Sequence, residues 1–308
     1  MNLQQLEYIL AVDQYKHFIK AAEACHVTQP TLSMMIQKLE TELGIKIFDR
    51  SKQPVLATPA GKLALEQARK ILFETQKMQD LARLQQSSLN GTLRIGIIPT
   101  LAPYLAHRFV NRFLAKYPDI SLTVSEHITS SIVKKLKKNQ LDVGILVSPL
   151  GDSSILEWPL FYEPLSVYSS HGFSKTYLLP EDISPDELLL LEEGHCLKSQ
   201  IMNLCELRKQ SLSRLNYQSG SLETLIRLVS AGQGVTILPA LTVETLSEQQ
   251  KKQVFQFQAP VPVREVSLAV HRNFIKSDLI AALKAEILAG VPKEYQSKEG
   301  TLRLPIHV

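Results

Sequence analysis

Only three cysteines, Cys25, Cys196 and Cys205, and a single tryptophan occur in the 308 residues of this chain. So sparse and odd a set of thiols excludes the disulfide framework of a small secreted domain and fits a reducing compartment. No apolar run approaches the ~20 residues that a membrane-spanning helix needs. The opening residues, Met1-Asn2-Leu3-Gln4-Gln5-Leu6-Glu7, lack the basic-then-apolar pattern of a signal peptide. A cytoplasmic protein without a membrane partner is expected. Excess charge is lacking too: the formal net charge is +4, and residues 1–60 hold six Lys/Arg against six Asp/Glu. Bulk attraction to a polyanion is therefore excluded, and any nucleic-acid binding must come from basic groups that the fold clusters. No Gly-rich phosphate loop is present, because Gly232-Gln233-Gly234 reads as a turn into a strand. The histidines do not stand at metal-ligand spacing from the cysteines. Neither a cofactor, nor a metal, nor an enzyme is expected.

What is present falls into three stretches. Residues 1–58 read as a helical domain. Leu3, Leu6, Tyr8, Ile9, Leu10 and Val12 form the apolar stripe of a first helix, and Phe18 to Cys25 a second with small Ala21, Ala22 and Ala24 at its packing face. His26-Val27 is the connecting turn. Thr28 is placed to cap a third helix, with Pro30 in its first turn, Leu32, Ile36, Leu39 and Leu43 at helical spacing, and Gly44 as its stop. Two helices joined by a tight turn, the second opening in Thr-Gln-Pro-Thr-Leu-Ser, make a helix-turn-helix signature. Ile45–Arg50 and Val55–Thr58 read as a two-stranded wing. Cys25 reads as a small buried apolar residue beneath the third helix.

Residues 59–90 read as one long helix to about Ser87, striped by Leu63, Leu65, Ala68, Ile71, Leu72, Met78, Leu81 and Leu84. A helix of this kind outside a domain core pairs with a copy of itself. Gln85 to Gly91 is the hinge. From 91 to 308 strands alternate with helices, which predicts α/β architecture with mainly parallel sheets. At ~210 residues this stretch reads either as one doubly wound domain or as two small lobes with a cleft; in the two-lobed reading the lobes are about 91–162 with 267–308 and about 163–266, with Leu160–Ser169 and Arg264–Arg272 crossing between them. Residues Gln296 to Val308 read as a polar tail.

Chemistry concentrates in Gly194-His195-Cys196-Leu197-Lys198-Ser199-Gln200-Ile201-Met202-Asn203-Leu204-Cys205. On a continuous helix the nine-residue offset between the cysteines is about 13.5 Å of rise, whereas a disulfide needs Cα atoms within roughly 7 Å. Pairing would demand that the segment be rebuilt, which is the behaviour of a switch. Cys196 reads as lying at a helix N-terminus, where the dipole favours thiolate. Thiolate is the form that peroxide converts to sulfenic acid, and a second thiol turns sulfenic acid into disulfide.

The N-terminal layout resembles the LysR-type transcriptional regulators. The residues that carry the resemblance are Leu6-Glu7-Tyr8, Phe18, Ala21-Ala22, Val27 to Ser33, Leu39-Glu40, Leu43-Gly44 and Leu56 to Gly61. Beyond the hinge, Ile97 to Leu105, Leu191 to Leu197 with Cys205, Ser221 to Leu225 and Gly234 to Leu241 resemble the peroxide-responsive members of that family. The resemblance implies an N-terminal all-α winged helix-turn-helix with a long linker helix. It also implies a C-terminal two-lobed, periplasmic-binding-protein-like α/β regulatory domain. Base edges would be read by Gln29, Thr31, Ser33 and Met34, with Lys38, Arg50 and Lys52 on phosphates. Cys196 would be the peroxidatic and Cys205 the resolving cysteine. Thr100, Thr129, His195 and Arg264 would line the peroxide pocket, Arg264 being matched through the alternation Arg264-Val266-Leu268-Val270. Each threonine, following a strand and opening a helix, also reads as an N-cap. Such regulators often carry an acid three positions after the reactive cysteine; Ser199 here is expected to change proton handling. The implied partners are dyad-symmetric duplex DNA, hydrogen peroxide, further copies of the chain in a dimer or tetramer, and RNA polymerase. Two alternatives stay open on sequence: a regulator whose cleft binds an organic metabolite, and a thiol peroxidase.

Overall fold

The computed structural model describes residues 1–84, 91–205, 217, 219–274 and 277–306. The chain divides into two compact units, Met1–Ser88 and Leu89–Val308.

In the first unit, α1 (Leu3–Tyr15) is capped reciprocally: Asn2 accepts from the Gln5 amide and the Gln5 side chain accepts from the Asn2 amide. Helix α2 (Phe18–Ala24) turns into α3 (Gln29–Leu43), which Thr28 caps and Gly44, at φ +67°, ends. Leu6, Ile9 and Val12 of α1 meet Ala21 and Ala22 of α2 and Leu32, Ile36 and Leu39 of α3 in one buried cluster. The wing is short: β1 (Phe48–Asp49) pairs antiparallel with β2 (Leu56–Ala57). Its base is pinned by the buried Glu40 carboxylate, which accepts from the Ile47 and Phe48 amides. Helix α4 (Pro59–Leu84) starts at Thr58, whose hydroxyl accepts from the Gly61 amide. A Cβ at Gly61 would lie 2.0 Å from the Ile47 carbonyl oxygen, so only glycine lets α4 enter against the wing. Along α4, Leu65 and Ala68 are buried, Ile71 and Leu72 half-buried, and Leu63 and Met78 exposed. The side chains of Leu81 and Leu84 and the expected hinge before Gly91 lie outside the described residues. Cys25, expected to be buried, is half-buried at the C-cap of α2 against the edge of the core.

The second unit runs β3 (Gly91–Ile97), α5 (Ala102–Lys116), β4 (Ile120–Glu126), α6 (Thr129–Lys137) and β5 (Val143–Ser148). It continues with β6 (Ile155–Ser169), β7 (Tyr177–Leu178), α7 (Cys196–Leu204) and α8 (Leu222–Ser230). The end comprises β8 (Val235–Pro239), α9 (Ala240–Val243), α10 (Glu248–Lys251), β9 (Val254–Phe257), β10 (Val261–His271), α11 (Ser277–Ala289) and β11 (Thr301–Arg303). The strand order is β4-β3-β5-β10-β6-β9-β7, with β8 on β6 and β11 on β10.

This topology corrects the expectation of mainly parallel sheets. Among the described strands β3–β4, β3–β5, β7–β9 and β10–β11 are parallel, whereas β6 and β10 pair antiparallel with each other, β10 with β5, and β6 with β8 and β9. The reason is physical: the chain leaves the first lobe along β6 and returns along β10, so two long strands lie side by side in opposite directions. Strand β6 changes partner near Pro164–Leu165, from β10 to β8. All of β10 pairs with strands of the first lobe or with β6, so the expected boundary at 266/267 falls inside a continuous strand.

The expected polar tail is also corrected. Thr301–Arg303 pairs with Val261–Val263, and Leu304 and Ile306 are buried in the same core as β5 and α7. The alternation Leu302-Leu304-Ile306 was the signal for this strand.

Candidate functional site

Helix α7 opens with Cys196 and closes with Cys205 at its C-cap, and both thiols are free. Gly194, at φ +93°, makes the turn that brings His195 to the N-cap position. The helix is continuous from Cys196 to Leu204, so the cysteines stand at opposite ends, about 13.5 Å apart along the axis. No disulfide can form until α7 is dismantled.

The pocket around Cys196 is assembled from strand ends and one long strand. Thr100 follows β3 and Thr129 begins α6 just beyond β4, so both lie at the C-terminal edge of neighbouring parallel strands. Arg264 comes from β10 and is fully buried. Its guanidinium donates to the Thr100 hydroxyl at 2.9 Å and to the Thr100 carbonyl at 3.1 Å. The other side of the guanidinium donates to Glu163 at 2.8 Å, and Glu163 also accepts from the Leu241 amide at the start of α9. Glu163 was not singled out from sequence. Its signal is a carboxylate within the apolar run Phe161 to Leu165, directly across the ladder from Arg264. The reading of both threonines as N-caps is corrected. Leu101 and Ile128 occupy those positions, neither with a side-chain cap. The Thr100 hydroxyl is instead given to Arg264, and the Thr129 hydroxyl, buried with no conventional hydrogen-bond partner, faces the Cys196 sulfur.

Electrostatics around the thiol differ from expectation. Burial raises the Cys196 pKa, while Arg264, the Thr129 hydroxyl and the Leu197 and Cys196 amides pull it down; burial wins. Cys196 rests as a thiol, not as the thiolate expected from its helix end, and the donors wait for charge that appears on reaction. Cys205 is pushed up to about 11 by burial alone. His195, buried, has its pKa lowered by desolvation against a weaker opposing pull from Glu192, whose carboxylate lies 3.9 Å away, so it is neutral at pH 7. Ser199 is half-buried, and the neighbouring Lys198 pairs outward with Glu193.

In the first unit Gln29, Thr31, Met34 and Lys38 are exposed on α3, and Ser33 is half-buried. The Thr31 hydroxyl is tied to Thr28 at 2.8 Å. Arg50 is engaged within the unit: it donates to Ser33 at 2.9 Å, faces Glu40 at 3.5 Å and stacks on the Phe18 ring. Lys52 stands 3.8 Å from Asp49. Arg50 and Ser33 are therefore one coupled group, which DNA would have to engage together. Among the described residues no helix is long and apolar enough to cross a membrane, and no group of three or more His, Cys, Asp or Glu could hold a metal ion.

A winged helix-turn-helix ahead of a two-lobed α/β domain defines a bacterial regulator. Residues 3–62 match the family model "bacterial regulatory helix-turn-helix protein, lysR family", and residues 86–291 match "LysR substrate binding domain". The chain belongs to the LysR family. Within it, the chain is similar to the DNA-binding transcriptional dual regulator OxyR of Escherichia coli K12, at 38% identity over 246 residues, 79% of this chain and 80% of that protein. Among solved structures it is similar to a full-length OxyR cysteine variant from Pseudomonas aeruginosa. That match has a TM-score of 0.78 at 35% identity and covers 94% of this chain and 98% of the other. A Corynebacterium glutamicum OxyR cysteine mutant in its H2O2-bound form matches with a TM-score of 0.62 at 28% identity, over 100% and 98% of the two chains.

Proposed function

We propose that this chain is a peroxide-sensing transcriptional regulator in which oxidation of Cys196 and its pairing with Cys205 change how the winged helices engage DNA. The observation that carries the reading is the surroundings of Cys196. A buried thiol meets the charge of a buried guanidinium, a buried hydroxyl that faces the sulfur, and two uncapped helix amides, with a second free thiol at the far end of the same helix. Those donors would stabilise negative charge as it develops on sulfur and on a small oxygen species.

The chemistry balances with hydrogen peroxide alone. Cys196 sulfur, as thiolate, attacks one peroxide oxygen. An S–O bond forms, the O–O bond breaks, and the departing hydroxide takes the proton that the thiol released, giving water and a sulfenic acid. Arg264 and the Thr129 hydroxyl stabilise the charge in transit. Cys205 then gives up its proton and attacks the sulfenic sulfur; an S–S bond forms, the S–O bond breaks, and the leaving hydroxide takes that proton to become a second water. Sulfur loses two electrons overall and peroxide gains them. The disulfide is incompatible with continuous α7, so oxidation rebuilds the segment.

Duplex DNA with dyad symmetry is the second partner in this reading, contacted by Gln29, Thr31, Ser33 and Met34 at base edges and by Lys38, Arg50 and Lys52 at phosphates. Self-association is supported by exposed Leu63 and Met78 on α4, and a dimer or tetramer would supply the matching symmetry. RNA polymerase and a cytoplasmic setting complete the proposal, with signalling in place of catalytic turnover. Footprinting on a DNA site selected by the reduced chain tests it. The wild-type footprint is expected to change with peroxide and the Cys196→Ser footprint to stay in the reduced form. A footprint that ignores peroxide but answers an organic metabolite, or sustained peroxide turnover with a reductant, would replace the reading by one of its rivals.

A further inference from the structure

Between the two cysteines, one turn beyond Cys196, lies Gln200, a fully buried amide on α7. Its Nε2 donates to the Leu304 carbonyl at 3.2 Å. The Leu304 amide in turn donates to the Val263 carbonyl at 3.0 Å, next to Arg264. The residues before it, Thr301–Arg303, add a parallel strand to Val261–Val263, and Arg303 pairs with Glu265 at 3.0 Å. Leu304 and Ile306 are themselves buried in the core that also holds Cys196, Leu197 and Ile201. One short segment is thus bonded both to the helix that must unravel and to the strand that carries the pocket guanidinium.

We propose that Gln200 and the segment 301–306 form a latch that holds α7 in its dithiol conformation and so sets how readily Cys196 and Cys205 pair. Gln200 acts as a positioning residue, through the helix, on the two thiols. Rebuilding α7 moves Gln200, breaks its bond to Leu304 and strips apolar cover from Leu304 and Ile306. A segment so placed lets anything that pulls on residues 301–306 tune the oxidation threshold without touching the pocket.

The latch rests on the reading that peroxide couples Cys196 to Cys205, and the test separates the two. Three proteins are compared: the full wild-type chain, its Gln200→Leu variant, and a chain ending at Arg303. Hydrogen exchange is measured on the reduced forms, and the disulfide-to-dithiol ratio is measured in a glutathione buffer of fixed poise. Amides of α7 are expected to exchange about tenfold faster in both variants, with β5 amides unchanged. The ratio is expected to shift toward disulfide by about threefold or more. A role confined to general stability would speed exchange and leave the ratio where it was; an unchanged ratio in both variants overturns the latch. Should the shortened chain fail to fold, Gln200→Leu alone decides. A wild type that forms no Cys196–Cys205 disulfide overturns the redox reading and the latch with it. A wild type that forms the disulfide, with variants that match it, overturns the latch alone.

Discussion

Helices α3 and α7 both carry the chain's chemistry at their N-terminal ends, and they present it in opposite ways. Helix α3 is capped by Thr28, whose hydroxyl accepts from the Thr31 amide, and its polar residues Gln29, Thr31 and Lys38 face solvent. Helix α7 has no side-chain cap. Its first amides face the Cys196 sulfur, and everything that acts on that sulfur is buried. The difference follows from the two targets. A DNA groove is large and polar and must be met by an exposed surface. A peroxide molecule is small, and charge on it is stabilised best by preorganised donors held away from water. In the proposed function α3 would recognise by shape and hydrogen-bond pattern, and α7 would react because its donors are left unused until charge develops.

The sharpest break in that comparison comes from the buried side. Glu163→Gln leaves the Arg264 guanidinium buried without its carboxylate, and a loss of about 3–5 kcal/mol is expected in urea unfolding of the reduced chain. A loss under ~1 kcal/mol would mean that Arg264 is not held as described. On the exposed side, Gln29→Ala is expected to cost about 1–3 kcal/mol in affinity for the selected DNA site, read by titration at fixed salt, while peroxide oxidation of Cys196 proceeds at the wild-type rate. Thr129→Val removes a hydroxyl that has no conventional partner. Stability should hold while sulfenic acid formation slows about tenfold, the worth of about 1.4 kcal/mol, as followed by stopped-flow quenching with a sulfenic-acid probe. The smallest effect concerns His195. Its pKa is lowered below the ordinary 6.5 by burial, so the fold favours the neutral ring. Stability from this group is full above pH 6.5 and is lost as pH falls through the lowered value. Melting of the reduced chain should therefore weaken as the pH falls below about 6.5, and His195→Gln should flatten that slope.

Much of α3 was legible in the sequence because its evidence is local. A cap, a proline, a 3.6-residue stripe and a glycine stop are all written within residues 28–44. The cysteine spacing likewise revealed that pairing requires rebuilding, before any fold was known. The surroundings of Cys196 were less legible, because they are made by residues far apart in the chain. The Arg264–Glu163 pair spans 101 positions and exists only because β6 and β10 run antiparallel. The direction of the Cys196 shift escaped for a similar reason. Spacing shows a helix end, but burial, which outweighs it, is a property of the packed unit. Thr100 and Thr129 looked like caps because threonine after a strand usually is one; here strand ends meeting Arg264 and Cys196 give those hydroxyls other work. The strand at 301–303 and the buried Leu304 and Ile306 after it were overlooked because three apolar residues in alternation are a weak signal among charges.

The central claim is that Cys196 and Cys205 are the two halves of one switch, and peptide mapping of the fully reduced chain tests it directly. After one equivalent of hydrogen peroxide, mass spectrometry is expected to find Cys196 linked to Cys205, with Cys25 still free and hydrogen exchange of α7 increased. Cys196 and Cys205 both recovered as free thiols, from a chain that still binds its DNA site, would contradict the account.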